Sequence, residues 1–378
     1  MYNTIRRLSS FLLIFVLTFG PACRAQALAA LEPMVPKQPA FTPSGKVYYV
    51  STTGKDTNSG AAGSPFQTFT QAVSVLSAGD TLQVMPGTYY ETMKLTMSGT
   101  AARPINVAGN GAVLALQGSL AFGIKISGSY INVSNFEVTG ATEAGIAISG
   151  RYVTVANNIL HDNVTENGIG KCGTARSWLS ALKVGIGGQH ITIENNIVYN
   201  NCGEGIAITR GNYVTVRNNT VYDNFAPNIY IDNSPYTIVQ DNRVYCTGAR
   251  LRRDGTRPTG IGLGEEYYDG WGAQMHDILV SGNSIKDCGK GIGAFKSEVG
   301  GTLTNVTITK NDVPNGMSRS ISLTNASNKN VVISFNNLFN EPYLTDSVGV
   351  SLIGNTITRP TSSVPPESEI SRRRQHGR

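Results

Sequence analysis

The sequence predicts an all-β fold: one right-handed parallel β-helix, a solenoid of short strands, with an N-terminal cap that contains a short helix. Three observations lead there. From about Tyr130 one phrase keeps returning: a few alternating β-branched residues, an Asn, an apolar residue, a turn, then Gly-Ile and another apolar alternation. Nothing in that phrase recurs with a helical period, and its short runs alternate with period two between Gly, Asn and Asp turns. Finally, 42 Gly in 378 residues with only 15% charged residues suits short strands and turns, and excludes a charged disordered chain or a coiled coil.

Taken in chain order, the first element is a leader. Arg6 and Arg7 precede an apolar run from Phe11 to Phe19 and small residues ending Ala25-Gln26-Ala27. That is the pattern of a signal peptide over residues 1–27, because the run falls well short of the roughly 18 residues of a membrane span. A lipid-anchored Cys23 is the lesser alternative. A linker, 28–45, leads to a cap at 46–79. In the cap Lys46 to Ser51 alternates like a strand, and Phe69 to Ser77 reads as a helix with Ala72, Val73 and Leu76 apolar. A solenoid end exposes apolar core and unpaired strand edge, so a cap is needed there.

The β-helix is expected over 80–358. Its phrase reads HITIENNIVYNN at 190–201 and YVTVRNNTVYDN at 213–224, and its Asn recurs at Asn158, Asn196, Asn219, Asn242, Asn283, Asn311, Asn336 and Asn355. Most intervals are 19 to 28 residues, and the longer ones carry insertions. A period of that size means one coil per repeat. Ile206, Ile208, Ile229 and Ile231 should point inward, and the Asn side chains should stack as an amide ladder at one turn. Residues 359–378 form a disordered basic tail.

The net charge of +6 resides in the ends: residues 28–359 hold 24 basic against 23 acidic residues. A nucleic-acid face is therefore unsupported, and after the leader nothing could form a transmembrane segment. The leader implies a secreted or periplasmic chain in an oxidising compartment, where the four remaining cysteines favour disulfides. Three connectivities are open. Cys172 with Cys202 and Cys246 with Cys288 is expected, since each pair spans neighbouring coils at the same turn region.

The stretch YYVSTTGKDTNSGAAGSPFQTFTQAVSVLSAGDTLQVMPGTYYE, residues 48–91, resembles the opening segment of secreted bacterial β-helix proteins of the pectate-lyase-like superfamily, including family 9 polysaccharide lyases. The resemblance implies cleavage of a uronate-containing polysaccharide by β-elimination, with calcium held by coil carboxylates and a Lys or Arg as base. Two family phrases have their nearest equivalents in SWLSALKVG, 177–185, and GEGIAIT, 203–209. Lys183 matches the lysine of the first, while Trp178 replaces its Asp, and Glu204 and Ala207 replace aspartates of the second. Most of the calcium set is thus substituted.

The residues themselves offer a site. Aligning the triplets centred on Lys183, Ala207, Tyr230, Gly262 and Gly293 puts one strand of each coil in register, with these central residues on an outer face. Lys183 and Tyr230 then flank Ala207, while Ala207, Gly262 and Gly293 leave a floor. Arg210, Asp232, Glu265, Glu266 and Lys296 follow that strand; Glu204 and Asn228 precede it. Insertions carrying Trp178, Tyr267 and Trp271 supply walls. Elimination beside a uronate needs a cation for the carboxylate, a base for the C5 proton and an acid for the leaving oxygen. Lys183, Arg210 and Tyr230 are the candidates, with Glu204, Asn228, Asp232, Glu265, Tyr267 and Trp271 as substrate-binding residues.

A lyase or C5-epimerase working as a monomer on an acidic polysaccharide is the expected function, with calcium as a candidate cofactor at Asp232, Glu265 and Glu266. A non-catalytic glycan-binding or cell-envelope protein is the alternative. A periplasmic metal-delivery accessory of the NosD kind is a third, weakened by few and scattered Met and His.

Overall fold

The computed structural model describes residues 45–167, 172–173, 179–272, 274–295, 302–315, 317–324, 327–345 and 347–358. The expected leader (1–27), all but the last residue of the linker (28–45), the tail (359–378), Trp178 and Lys296 lie outside the described residues.

Each coil contributes a strand to a nine-stranded parallel sheet, turns, and then contributes strands to a second, continuous set. The nine-stranded sheet runs Met93–Leu95, Phe122–Ile126, Ala144–Ile148, Ser180–Val184, Glu204–Thr209, Ile229–Asp232, Ile261–Gly264, Lys290–Phe295 and Arg319–Ser322. In the second set, Gln189–Glu194 stacks on Asn212–Arg217, and Ile197–Tyr199 on Thr220–Tyr222. Apolar residues of the inner coils fill the lumen: Ile206, Ile208, Ile229 and Ile231 are fully buried, as expected.

The cap also joins the stack. Val47–Val50 pairs parallel with Thr81–Val84, so coil stacking starts one rung before residue 80. The helix covers Phe69–Ser74, shorter than expected; Thr68 caps it by accepting from the Gln71 N–H at 3.2 Å, and Phe69 and Ala72 are buried beneath it.

The asparagine ladder runs unbroken from Asn158 to Asn355. Each Oδ1 accepts both the backbone N–H and the Nδ2 of the preceding member at 2.9–3.0 Å, as between Asn196, Asn219 and Asn242. The residue before each ladder Asn is left-handed, as at Asn157, Asn195, Asn218 and Asp241. Asn and Asp tolerate that conformation, which explains the Asn-Asn pairs of the repeat. A second ladder, Asn163, Asn201, Asn224 and Asn228, occupies the next turn. Tyr130, Tyr152, His190 and Tyr213 form a ring stack at 4.6–4.8 Å, which gives His190 a structural place. Both expected disulfides are formed, each with Cα atoms 4.9 Å apart.

Candidate active site

On the outer face of the nine-stranded sheet, Ala147, Lys183, Ala207, Tyr230, Gly262 and Gly293 occupy one column in register. Lys183 and Tyr230 are two rungs apart with Ala207 between them, so their backbones lie about 10 Å apart. The expected floor at Gly262 is not empty, however. The Tyr230 ring lies over it: a Cβ at Gly262 would come within 2.9 Å of that ring, and one at Gly264 within 2.1 Å of its hydroxyl. Glycine is needed at both positions to seat the tyrosine.

Glu204 stands at the start of its strand, one rung from Ser180, whose hydroxyl donates to Glu204 Oε2 at 2.5 Å. The residue is only 7% exposed. Burial pushes it up to about 7; the Ser180 hydrogen bond opposes that rise, Glu266 adds to it, Lys183 opposes it and Asp232 adds to it. A buried acid raised toward neutrality therefore lies within the electrostatic reach of Lys183.

Tyr230 donates to Glu266 Oε1 at 2.7 Å and meets Phe295 edge-on. Burial and the neighbouring charges of Asp232 and Glu266 push its phenol far above the usual range, so it stays protonated. Asp232 is buried and fully engaged: Tyr268 donates its hydroxyl to Oδ2, while the Glu266 N–H and Asn233 Nδ2 donate to Oδ1, each at 3.1 Å. Its own rise comes from burial, opposed by those hydrogen bonds. Arg210 is left-handed and lays its guanidinium 4.0 Å from the Tyr268 ring and 5.9 Å from Trp271. Its Nε is buried with no partner among the described residues.

Two expectations need correction, and a third residue is placed apart from the cluster. Asn228 does not face the cleft: it is fully buried, accepts from Asn224 and donates to Cys246 Sγ at 3.2 Å, so its amide belongs to the second ladder. Glu265 is buried and accepts from the Thr302 N–H; its neighbour Glu266 is the one that bonds Tyr230. Burial raises the Glu265 carboxyl. Tyr267 is 63% exposed, whereas Tyr268 carries the contacts to Asp232 and Arg210. The side-chain alternation that sorts inward from outward residues stops at Gly264, so the sequence offers no signal for choosing within these pairs.

The donor set does not fit calcium. Both Asp232 oxygens, Glu266 Oε1 and Glu265 Oε2 are committed to protein donors, of these carboxylates' oxygens Glu265 Oε1 alone is buried without a partner among the described residues, and among those residues no three acidic, His or Cys side chains converge as a metal site.

Family models for a "Pel9A-like, right handed beta helix region" and a "Right handed beta helix region" match residues 48–175 and 177–357. The chain is a right-handed, pectate-lyase-like β-helix protein. A 62-residue stretch of this β-helix protein, 16% of the chain, is 42% identical to "Uncharacterized protein YwoF" of Bacillus subtilis (strain 168), of which it spans 13%. Its fold is similar to that of an endo-xylogalacturonan hydrolase from Aspergillus tubingensis, with a TM-score of 0.56 at 14% identity over 83% of this chain and 93% of that one. It is also similar to PfbA, a surface adhesin of Streptococcus pneumoniae, with a TM-score of 0.52 at 11% identity over 76% of this chain and 80% of that one. At these identities the likeness is one of fold. Among the described residues, no helix of this β-helix protein is long and apolar enough to cross a membrane.

Proposed function

We propose that this protein acts outside the cytoplasm on a uronate-containing polysaccharide, by abstraction of the C5 proton. The reading rests on the juxtaposition of Lys183 and Glu204: Lys183 pairs in register with Ala207 of the strand that Glu204 opens, and burial raises the Glu204 carboxyl to about 7. A general base works best when its pKa lies near the working pH. Two disulfides support an oxidising compartment.

In this reading Lys183 neutralises the uronate carboxylate and so acidifies C5–H, and Arg210 holds the sugar from the turn side. Glu204 takes the C5 proton. The C5–H electrons become the C4=C5 double bond as the C4–O bond breaks, and the leaving oxygen takes a proton from Tyr230, whose phenol is kept protonated for that purpose. Glu266, Asp232 and Tyr268 hold Tyr230 and Arg210 in place. An epimerase shares the first step and returns a proton to the opposite face of C5. The endo-xylogalacturonan hydrolase and the pectate-lyase-like family model support a carbohydrate substrate.

A binding-only reading has one observation in its favour: Tyr230 and Asp232 already have protein partners for their polar atoms. Incubation with alginate, pectate and glycosaminoglycans decides between the two. A rise in ultraviolet absorbance from unsaturated uronates, or a changed uronate epimer ratio by NMR, supports C5 chemistry; retention on the polymer with neither change supports binding alone.

A further inference from the structure

The column that holds Lys183 continues in the other direction. Lys94 pairs in register with Lys125, Lys125 with Ala147, and Ala147 with Lys183. Four successive rungs thus present lysine, lysine, alanine, lysine along one line of the outer face. Lys94 and Lys125 are exposed, and none of the three makes an ion pair among the described residues. Lys125, Lys183, Phe122, Glu143 and Ala147 line a cleft of about 220 Å³. The Lys125 ammonium lies 4.9 Å from the centre of the Phe122 ring. Glu143 is the opposing charge, and no ion pair joins it to either lysine.

Charge is therefore divided along the solenoid axis. The half from Lys94 to Lys183 carries three lysines against Glu143, while the half around Tyr230 holds Glu204, Asp232, Glu265 and Glu266 together with Arg210 and, over Gly293, Lys290. Rungs rise about 4.8 Å each, so the ammonium groups stand in a row about 14 Å long at the backbone. A row of that spacing suits a polymer with a negative charge on successive sugars, lying parallel to the axis.

The geometry points to Lys94 and Lys125 as a binding track for the anionic polysaccharide, on the N-terminal side of Lys183. This rests on the proposed acidic-polysaccharide reading and adds a direction to it: the charged run of the substrate extends from Lys183 toward Lys94, away from the acidic half. The residues are binding residues, outside the reacting centre, so their effect depends on chain length.

Calorimetric titration of the full protein with a galacturonate disaccharide and octasaccharide tests it, using wild type and the double variant Lys94→Ala/Lys125→Ala. Both side chains are exposed, and an unchanged melting curve confirms the fold of the variant. Wild type should bind the octasaccharide more tightly than the disaccharide, and the variant should lose about tenfold on the octasaccharide alone, the loss expected for two exposed charge contacts after screening by salt. Octasaccharide affinity that is the same in both proteins overturns the track while leaving the acidic-polysaccharide reading in place. Wild-type protein that binds neither this octasaccharide nor an alginate octasaccharide overturns both.

Discussion

Replacing Glu204 by Gln should stabilise the protein, and only on the alkaline side of the carboxyl's titration. The folded state holds the Glu204 proton more tightly than the unfolded chain does, with the carboxyl moving from 4.5 to about 7. Stability from that proton is fully present below pH 4.5 and is lost as pH rises to about 7, above which the buried charge costs about 3 kcal/mol. An amide keeps an oxygen for the Ser180 hydroxyl and never ionises. Glu204→Gln and wild type should therefore melt together below pH 4.5 and separate above pH 7, with the variant higher by about 5 °C. Calorimetric melts with the disulfides intact measure the difference, and groups common to both proteins cancel. Parallel curves across the range would show that Glu204 is not held protonated, and the neutral-pH base would go with it.

Two further outcomes follow from the fold. Asn219→Ala removes the acceptor for the Asn196 N–H and Nδ2 and the donor to Ile193 C=O, and it should cost at least about 3 kcal/mol in urea denaturation; Asn355→Ala, at the end of the ladder, should cost clearly less, and equal losses would contradict a cooperative ladder. Non-reducing peptide mapping should recover Cys172 with Cys202 and Cys246 with Cys288, and reduction of the second pair should remove about 4 kcal/mol for its 42-residue separation; crossed pairs or free thiols would reject the coil register that brings them together.

The coil register was legible because each repeat carries its own ruler. Period-two alternation marks the lumen, and an Asn preceded by a residue that tolerates the left-handed conformation marks the turn, so Lys183, Ala207 and Tyr230 could be placed in one column from sequence. Where the ruler stops, so does the reading. Glu265, Glu266, Tyr267 and Tyr268 follow the last strand residue, Gly264, and their directions are set by hydrogen bonds to Asp232, Tyr230 and Thr302 that no local pattern encodes. Asn228 was misread because it directly precedes the strand at Ile229, whereas the second ladder to which it belongs has members at irregular separations. Lys94 and Lys125 escaped the alignment because the coils before Tyr130 lack the marking Asn. The pairing of Glu204 with Ser180 is likewise a contact between coils 24 residues apart, visible only once the register is known.

If the Lys183–Glu204–Tyr230 face abstracts the C5 proton of a uronate polymer, turnover on whichever polymer of the panel responds tests it most directly. Lys183→Ala and Tyr230→Phe should each lower the rate of unsaturated-uronate formation by about 10² or more with the melting curve unchanged. Turnover equal to wild type in both variants would contradict the claim and move the chemistry off this face.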